Sequence, residues 1–367
     1  MTVTSSLGGS GRTPVFVRRI IEGGRELRAW ARLLHGAIVH TLTGKTPKSA
    51  HAALVDLFIA SAGRANDVAA RFLSILYPPY RLPPANGVLG ALTEDDLRVI
   101  EDKLERDGYV VFENCLSAEF CERIVHHTLA IDCQLMGDEM SAPGSTITYG
   151  RYDPRNPKAA KYLIPENDAT DIAEVQQLVA DTSLIAVAQN YLKAKPIFSG
   201  ISLWWSPSLK DTPDAEAAQE FHWDMERVRW LRYFIYLTDV SADSGPHCFI
   251  EGTHRTGSIP KHLRDRGYTR HSDETMLDTY GKAAYREFVG RRGTIIAEDS
   301  RGFHKGALPK AGDRLLLAFE LSSSTFGANK RHLIRNIRVT QFRDYAKKYP
   351  RLYANFDFAP GTLDAPR

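Results

Sequence analysis

Hydrophobic residues recur every three or four positions along the first fifth of the chain. Between Pro14 and about Leu76 they mark one face of successive helical turns. The recurring positions are Val17, Ile20, Ile21, Leu27, Trp30, Leu33, Leu34, Leu54, Leu57 and Phe58. The pattern predicts an N-terminal helical region. Residues 1–13, which are rich in Ser, Gly and Thr, have little apolar surface to bury and are expected to be disordered.

A segment rich in Pro and Gly, Tyr77–Gly90, separates this region from the rest of the chain. It cannot continue a helix, so a linker and the main boundary are expected there. The sequence T-E-D-D from Thr93 places acidic residues in a first turn and predicts a helix that runs to about Arg106. The elements expected next are a strand at Tyr109–Glu113 and two helices, from Ser117 to about Met136 and over 172–193.

From Lys195 onward the hydrophobic period changes to short runs of β type, separated by Gly, Pro and Asp turns. The runs are PIFSGISLWW, VRWLRYFIYLTDV, GTIIAED and DRLLLAFEL. Such runs predict a jelly-roll barrel, so the expected fold class is mainly β with flanking helices. An insertion over Asp273–Phe288 is expected to be helical and to lie over the barrel mouth. The expected divisions are a disordered 1–13, a helical region and linker over 14–90, a barrel domain over 91–345 and a C-terminal tail over 346–367.

Composition excludes several classes of function. Of 367 residues, 43% are hydrophobic and 25% are charged, which is an ordinary globular balance with material for a large core. The net charge of +3, from 47 basic and 44 acidic residues, gives no overall field for binding nucleic acid. The four cysteines contain no CxxC pair, so neither a zinc knuckle nor a disulfide scaffold is expected, and reduced thiols favour the cytoplasm.

No transmembrane segment is expected, because no apolar run approaches the ~20 residues that a span needs. The first predicted helix is nevertheless basic and amphipathic, with Arg18, Arg19, Arg25, Arg28 and Arg32. This pattern is found in helices that lie on a membrane surface or against a partner, and also in helices with a solvated polar face. The solvated face is the simpler interpretation.

The sharpest local feature is the sequence Phe221-His222-Trp223-Asp224. Alternate residues of a strand point to the same face, so His222 and Asp224 converge without distortion. Two histidines and one carboxylate form the ligand set of non-haem iron(II) oxygenases, which leaves other coordination positions open. Because an HxD pair is also common as a structural or surface pair, a third ligand is needed to decide between the two interpretations.

A third histidine and an arginine lie downstream of that pair. His304 ends the strand-like segment GTIIAEDSRGFH, and Arg314 follows ten residues later in DRLLLAFEL. Strand alternation places Arg314, Leu316 and Ala318 on one face. An arginine that faces a barrel interior needs an anion, and a dicarboxylic cosubstrate supplies one through two charge-assisted hydrogen bonds. An arginine facing solvent at the start of the strand is the alternative.

With those residues in place, the segment from about Leu92 to Leu321 resembles the phytanoyl-CoA dioxygenase family. The similar segments are TEDDLRVIEDKLERDGYVVFENCLSAEFCERI, QEFHWD, LTDVSADSGPHCFIEGTHRTG and HKGALPKAGDR. The resemblance implies a double-stranded β-helix (a cupin-like jelly roll), with iron(II) bound by His222, Asp224 and His304, 2-oxoglutarate bound by Arg314, and dioxygen as the second cosubstrate. Many family members have Ser or Thr two residues after the distal histidine, where this chain has Gly306. A second contact to 2-oxoglutarate is therefore left open.

The expected function is hydroxylation, or another oxidation, of a small or medium-sized organic molecule, with decarboxylation of 2-oxoglutarate to succinate. Two other classes stay open: a catalytically silent jelly-roll binding protein, and a cupin-like metalloenzyme with another metal. The last class leaves Arg314 without a role. His247 and His254 are expected to lie in loops or at a strand edge rather than to bind the metal.

Overall fold

The computed structural model describes residues 15–137, 140, 146–225, 227–267, 269–327 and 331–364. Three helices open the described chain, namely α1 (Val15–Thr43), α2 (Lys48–Ser61) and α3 (Arg64–Leu76). They confirm the predicted N-terminal helical region, whereas the disorder expected for 1–13 concerns residues outside the described ones. The side chains of Arg18, Arg19 and Arg25 also lie outside the described part, and Arg28 and Arg32 are exposed.

The remaining elements include both helices and strands. The helices are α4 (Glu94–Asp107), α5 (Ala118–Leu129), α6 (Glu166–Thr170), α7 (Ala173–Val179), α8 (Thr182–Leu192), α9 (Lys261–Arg264), α10 (Asp273–Tyr280) and α11 (Thr340–Lys348), with a 3-10 turn at Lys282–Ala284. The strands are β1 (Ala85–Gly87), β2 (Gly90–Leu92), β3 (Tyr109–Phe112), β4 (Asp132–Met136), β5 (Tyr149–Arg151), β6 (Lys161–Ile164), β7 (Ile197–Pro207), β8 (Trp230–Tyr236), β9 (His247–Ile250), β10 (Tyr285–Phe288), β11 (Ile295–Glu298), β12 (His304–Gly306), β13 (Asp313–Ser322), β14 (His332–Ile334) and β15 (Phe356–Phe358).

Two antiparallel sheets form the barrel. The larger has the strand order β3-β11-β8-β13-β7-β6-β4-β5, and the smaller has the order β10-β9-β12. Their facing sides share one hydrophobic cluster, to which Phe234 and Leu316 contribute from the larger sheet and Phe249 and Phe288 from the smaller. The other side of the large sheet packs against helices α5, α7, α8 and α11 in the main core. This arrangement confirms the predicted double-stranded β-helix.

Helix α4 begins where the sequence predicts. The hydroxyl of Thr93 accepts a hydrogen bond from the Asp96 backbone N–H at 3.1 Å, and the Asp96 carboxylate accepts one from the Thr93 backbone N–H at 2.9 Å. This reciprocal capping box satisfies two backbone donors that a helix start otherwise leaves without partners. The helix ends at Gly108, whose φ of 94° lies in the left-handed region that glycine adopts readily.

Two helix predictions were wrong at their ends. The helix expected to reach Met136 stops at Leu129, and β4 follows because Asp132–Met136 pairs with both β5 and β6. The helix expected over 172–193 is two helices, because Asp181 caps the second one through a 3.0 Å hydrogen bond from the Leu184 backbone N–H. In the first case strand pairing outweighed the helical pattern, and in the second a local capping side chain interrupted it.

Two further segments contain strands that the sequence pattern did not show. The expected linker over 77–90 includes strand β1, which forms a small hairpin with β2. The insertion expected to be helical over Asp273–Phe288 is helical only in α10 and in the 3-10 turn. Its last part is β10, which pairs with β9 along the edge of the small sheet. Pairing with β9 gives this short segment backbone hydrogen bonds that it could not complete as a helix.

The N-terminal helices pack on each other and on the barrel. At the crossing of α1 and α2, a Cβ atom on Gly36 would lie 2.0 Å from the Cβ of Ala50, so only glycine permits this approach. Leu54 and Leu57 of α2 share a core cluster with Val228 and Phe326 of the barrel. Among the helices that the structure describes, none combines the length and the apolar character needed to cross a membrane.

The packing of α2 predicts unequal effects of two leucine truncations. Leu54 is 0% exposed, and Leu42 on the outer side of α1 is 80% exposed. We expect Leu54→Ala to lower the free energy of unfolding by about 2–5 kcal/mol, because it leaves a cavity in the helix–barrel core. Leu42→Ala is the matched control and should change it by less than about 0.5 kcal/mol. Urea unfolding followed by circular dichroism measures both, and equal effects would contradict the packing.

Candidate metal and cosubstrate site

The structure brings His222, Asp224 and His304 together. One ligand atom from each side chain lies within 4.8 Å of the others, and all three residues are buried. His222 and His304 are antiparallel neighbours: the backbone N–H of His222 donates to the His304 carbonyl at 3.0 Å, and that of His304 donates back at 2.8 Å. The Asp224 backbone N–H donates to the Ser300 carbonyl at 2.8 Å. Two backbone segments therefore hold the three side chains in register.

Alternation along the HxD segment explains why it folds this way. The alternate residues Phe221, Trp223 and Met225 point to the opposite side, where they join a buried apolar cluster. Burial of these side chains fixes the face on which His222 and Asp224 appear. The local sequence thus stabilises the orientation of the polar pair through its apolar neighbours.

Both histidines present one ring nitrogen to the cluster. The Nδ1–H groups of His222 and His304 donate to the carbonyls of Glu220 at 2.9 Å and Gly302 at 3.0 Å, which leaves each Nε2 as the acceptor nitrogen. Burial lowers the pKa of both imidazoles, and for His222 the neighbouring His304 lowers it further. Both rings are therefore neutral at pH 7, which is the form that binds a metal ion.

The Asp224 carboxylate is held by an arginine. Arg232 donates to Asp224 Oδ2 at 2.6 Å and, through its other terminal nitrogen, to Glu320 Oε2 at 2.7 Å. Burial alone raises the pKa of Asp224, but Arg232 and the two histidines outweigh burial and keep that pKa below its ordinary value. The carboxylate is thus ionised. Two neutral imidazole nitrogens and one carboxylate fit the facial ligand set that iron(II) takes in oxygenases.

Arg314 lines the same cavity, on the face that alternation predicted. Its side chain is 4% exposed, and its Nη1 donates to the Gly245 carbonyl. A Cβ atom on Gly306 would lie 2.8 Å from Arg314 Nη2. The missing side chain at Gly306 therefore gives the guanidinium its space, and the two-donor fork of an arginine suits a carboxylate.

A second cation, Lys161 on β6, lies at the same end of the cavity. Its ammonium nitrogen is 4.7 Å from the centre of the Trp204 ring. Burial, together with the charges of Arg314 and Arg232, lowers the pKa of Lys161 to about 8. Local sequence pattern does not indicate this position for the lysine, because β6 is short and its place beside β7 depends on pairing between distant segments.

A buried His–Glu pair lies behind His304. His247 Nε2 is 2.8 Å from Glu298 Oε2, and the His247 ring lies against that of Phe234, with centroids 4.1 Å apart. Burial raises the pKa of Glu298 to about 8 and lowers that of His247. His247 is the first residue of β9 and also lines the cavity. The sequence did not indicate its position at the cavity. His254 lies outside the ligand cluster, with Nε2 3.2 Å from the Glu105 carbonyl.

Comparisons with known proteins identify a family and relatives of this chain. A family model described as phytanoyl-CoA dioxygenase (PhyH) matches residues 104–308, which is more than half of the chain. An ectoine dioxygenase from Sphingopyxis alaskensis is 25% identical over 216 residues, which cover 54% of this chain and 67% of the relative.

The solved structures to which this chain is similar are more distant in sequence. EctD from S. alaskensis, in a crystal structure with 2-oxoglutarate and 5-hydroxyectoine, is 20% identical with a TM-score of 0.45, over 68% of this chain and 84% of that chain. HygX from Streptomyces hygroscopicus, crystallised with nickel and 2-oxoglutarate, is 16% identical with a TM-score of 0.43, over 63% and 87% of the two chains. From the extent of the family match, this chain belongs to the phytanoyl-CoA dioxygenase family of iron- and 2-oxoglutarate-dependent oxygenases.

Proposed function

We propose that this protein hydroxylates a small or medium-sized organic molecule, with dioxygen consumed and 2-oxoglutarate decarboxylated to succinate. One observation carries the proposal: His222 and His304 of the ligand cluster, which Asp224 completes, line the same cavity as the buried Arg314. The cluster suits iron(II), and the arginine suits a dicarboxylate. Together they fit a cosubstrate that is held at both of its ends.

In this proposal the three side chains of the cluster hold the iron through the Nε2 atoms of His222 and His304 and a carboxylate oxygen of Asp224. The bound iron supplies the oxidising chemistry, while the protein supplies binding, orientation and a shielded cavity. Arg232 keeps the Asp224 carboxylate ionised and fixed, and the carbonyls of Glu220 and Gly302 keep the imidazoles in the required tautomer.

At the other end of the cosubstrate, Arg314 and Lys161 bind the distal carboxylate. Arg314 contributes a fixed pair of N–H donors, and Lys161 contributes a point charge from the neighbouring part of the large sheet. This assignment fills the second contact that Gly306 leaves open. It also directs the keto acid end of 2-oxoglutarate toward the ligand cluster.

The proposal is tested by the products of the reaction without any added substrate. Protein purified without oxygen is loaded with iron(II) and 2-oxoglutarate, and succinate is measured after air is admitted. Slow succinate formation that needs both additions, stops with a chelator and returns with fresh iron is the expected result. A loaded protein that forms no succinate contradicts the proposal and favours a silent binding protein. If only a different metal restores succinate formation, the result favours a cupin-like enzyme of another kind.

The lowered pKa of Lys161 predicts a pH dependence of cosubstrate binding. Its ammonium group is charged below a pKa of about 8 and loses the charge above it, so affinity for a dicarboxylate should fall as pH rises. We expect the KM for 2-oxoglutarate to rise several-fold between pH 7 and 9. In Lys161→Met the KM should be higher at pH 7 and rise less with pH. Succinate assays at each pH measure both.

Lys310 provides the control, because Lys310→Met removes the charge of an exposed lysine. Its pH profile should match that of the unmodified protein. Identical profiles for Lys161→Met and Lys310→Met would show that Lys161 does not bind the cosubstrate. The comparison between variants also separates Lys161 from other groups that titrate in this range, such as Glu298.

A further inference from the structure

The cavity extends beyond the ligand cluster to a second end. On β13, Arg314 and Glu320 face the cavity and are six positions apart, so at ~3.3 Å per residue they stand about 20 Å apart. At this end Gly200 pairs with Glu320 across β7 and β13, and Ser199 and Arg227 contact its carboxylate. His51, Glu166 and His332 also line the cavity. The cosubstrate occupies the Arg314 end under the proposed function, so the Glu320 end is left for the substrate.

This second end is strongly polar. Glu320 Oε1 accepts a hydrogen bond from the Ser199 hydroxyl at 2.5 Å and lies 3.2 Å from Arg227 Nε, and Glu320 Oε2 accepts one from Arg232 at 2.7 Å. A saturated acyl chain cannot use the donors and acceptors that this lining presents, and it would remove the paired charges from the remaining water. A molecule with its own donors and acceptors avoids that cost. The lining therefore selects against lipids.

The size of the cavity points in the same direction. Its volume is about 460 Å³, and this space includes the end assigned to 2-oxoglutarate. Ligand pockets commonly have volumes of roughly 300–1,000 Å³. What remains after the cosubstrate is bound accommodates a small molecule, whereas the greater part of an acyl-CoA thioester would extend outside the cavity. The size and the polarity of the cavity thus both favour a small polar substrate.

One wall of this end comes from the N-terminal helical region. His51 lies on α2 and lines the cavity. Two turns later on the same helix, the ring of Phe58 stacks on Trp223, with centroids 5.0 Å apart and planes at 27°. Trp223 is the residue between the two candidate metal ligands, so the position of α2 is tied directly to the HxD segment. The region outside residues 104–308 therefore takes part in building the site.

Helix α3 holds this wall in place through polar contacts. The side-chain amide of Asn66 donates to the Val228 carbonyl at 3.1 Å, in a fully buried position. Asp67 pairs with Arg301 at 3.2 Å, and Arg301 pairs with the buried Asp299 at 2.6 Å. These contacts reach both backbone segments that carry the ligand cluster. The helices are thus positioned by the same segments that position the metal ligands.

We propose that helix α2 forms the substrate-side wall of the cavity, with His51 contacting a small polar substrate at the end lined by Arg227 and Glu320. This inference rests on the proposed function, and it names the substrate class and a residue that determines specificity. The substrate class consists of compact molecules with several amino, hydroxyl or carboxyl groups.

The experiment uses full-length protein loaded with iron(II) and 2-oxoglutarate without oxygen. The visible absorption band of the iron–2-oxoglutarate chelate reports binding next to the metal. The probes are the common amino acids, linear polyols and amino sugars, compared with palmitate and palmitoyl-CoA. We expect at least one polar probe to shift the band in a saturable way and both lipid probes to leave it unchanged.

Variants of His51 then test the wall. His51→Ala should weaken binding of the polar probe about tenfold or more, and His51→Asn, which keeps hydrogen-bonding atoms, should weaken it less. His127→Ala removes an exposed histidine from α5 and should bind the probe like the unmodified protein. The chelate band before addition of the probe shows that each variant is folded and loaded.

Three results would overturn the inference: no polar probe shifts the band, a lipid probe shifts it in place of the polar ones, or His51→Ala binds the polar probe as tightly as His127→Ala does. Absence of the chelate band in the unmodified protein is a different result. It would contradict the proposed function itself, and this inference with it.

Discussion

Replacement of His222 or Asp224 by alanine is expected to reduce iron- and 2-oxoglutarate-dependent succinate formation by at least about 100-fold. Even changes to residues that only hydrogen-bond to metal ligands lower metal affinity or activity about 10–100-fold. The two residues supply two of the three groups that converge within 4.8 Å. Loss of either leaves too few donors to retain iron(II). Iron content after anaerobic purification and succinate formation measure the two consequences separately.

Matched controls exist for both changes. His262→Ala and Asp243→Ala remove an exposed histidine and an exposed aspartate, and both variants should keep the iron content and the rate of the unmodified protein. If His222→Ala and Asp224→Ala both retain full succinate formation, the assignment of the cluster as the iron site is wrong. Loss of activity with full iron content would instead place these residues outside metal binding.

The second large effect is expected at Arg314. Arg314→Met should raise the KM for 2-oxoglutarate about 100-fold or more, because hydrogen bonds to charged groups are worth about 1.5–3 kcal/mol each and the guanidinium offers two. Arg314→Lys keeps the charge but loses the fork, and should give an intermediate KM. Succinate formed at increasing concentrations of 2-oxoglutarate gives these values.

A cosubstrate analogue sharpens this prediction. The 2-oxo acid 2-oxopentanoate lacks the distal carboxylate, so the unmodified protein should discriminate strongly against it. Arg314→Met should lose most of that discrimination, while Arg331→Met, at a 54% exposed arginine paired with Asp357, should retain it. Equal discrimination in the two variants would contradict a role for Arg314 in binding the distal carboxylate.

Short-range patterns in the sequence predicted much of the fold. The T-E-D-D sequence predicted the start of α4, because a capping box depends only on residues three positions apart. Alternation along β13 predicted that Arg314, Leu316 and Ala318 share a face, and all three line the cavity. The HxD spacing predicted that His222 and Asp224 would share a face, since that follows from the pleat of an extended segment.

Features that depend on distant pairing were not predictable in the same way. Strand β4 follows a helix-like pattern and becomes a strand only because β5 and β6 pair with it on either side. The backbone pairing of His222 with His304, and the place of Lys161 beside Trp204, also join segments that are far apart in the chain. No local periodicity reports such contacts.

Helix α2 lies outside residues 104–308, yet it packs on the HxD segment through Phe58 and reaches the cavity through His51. Under the proposed function, the wall that faces the substrate and the segments that carry the candidate metal ligands are therefore encoded in separate stretches of the chain. Substitutions in α2 would then change which molecules fit while the ligand segments stay intact. Selection can then act on specificity and on chemistry independently, which gives such an enzyme a route to new substrates that never passes through loss of its metal.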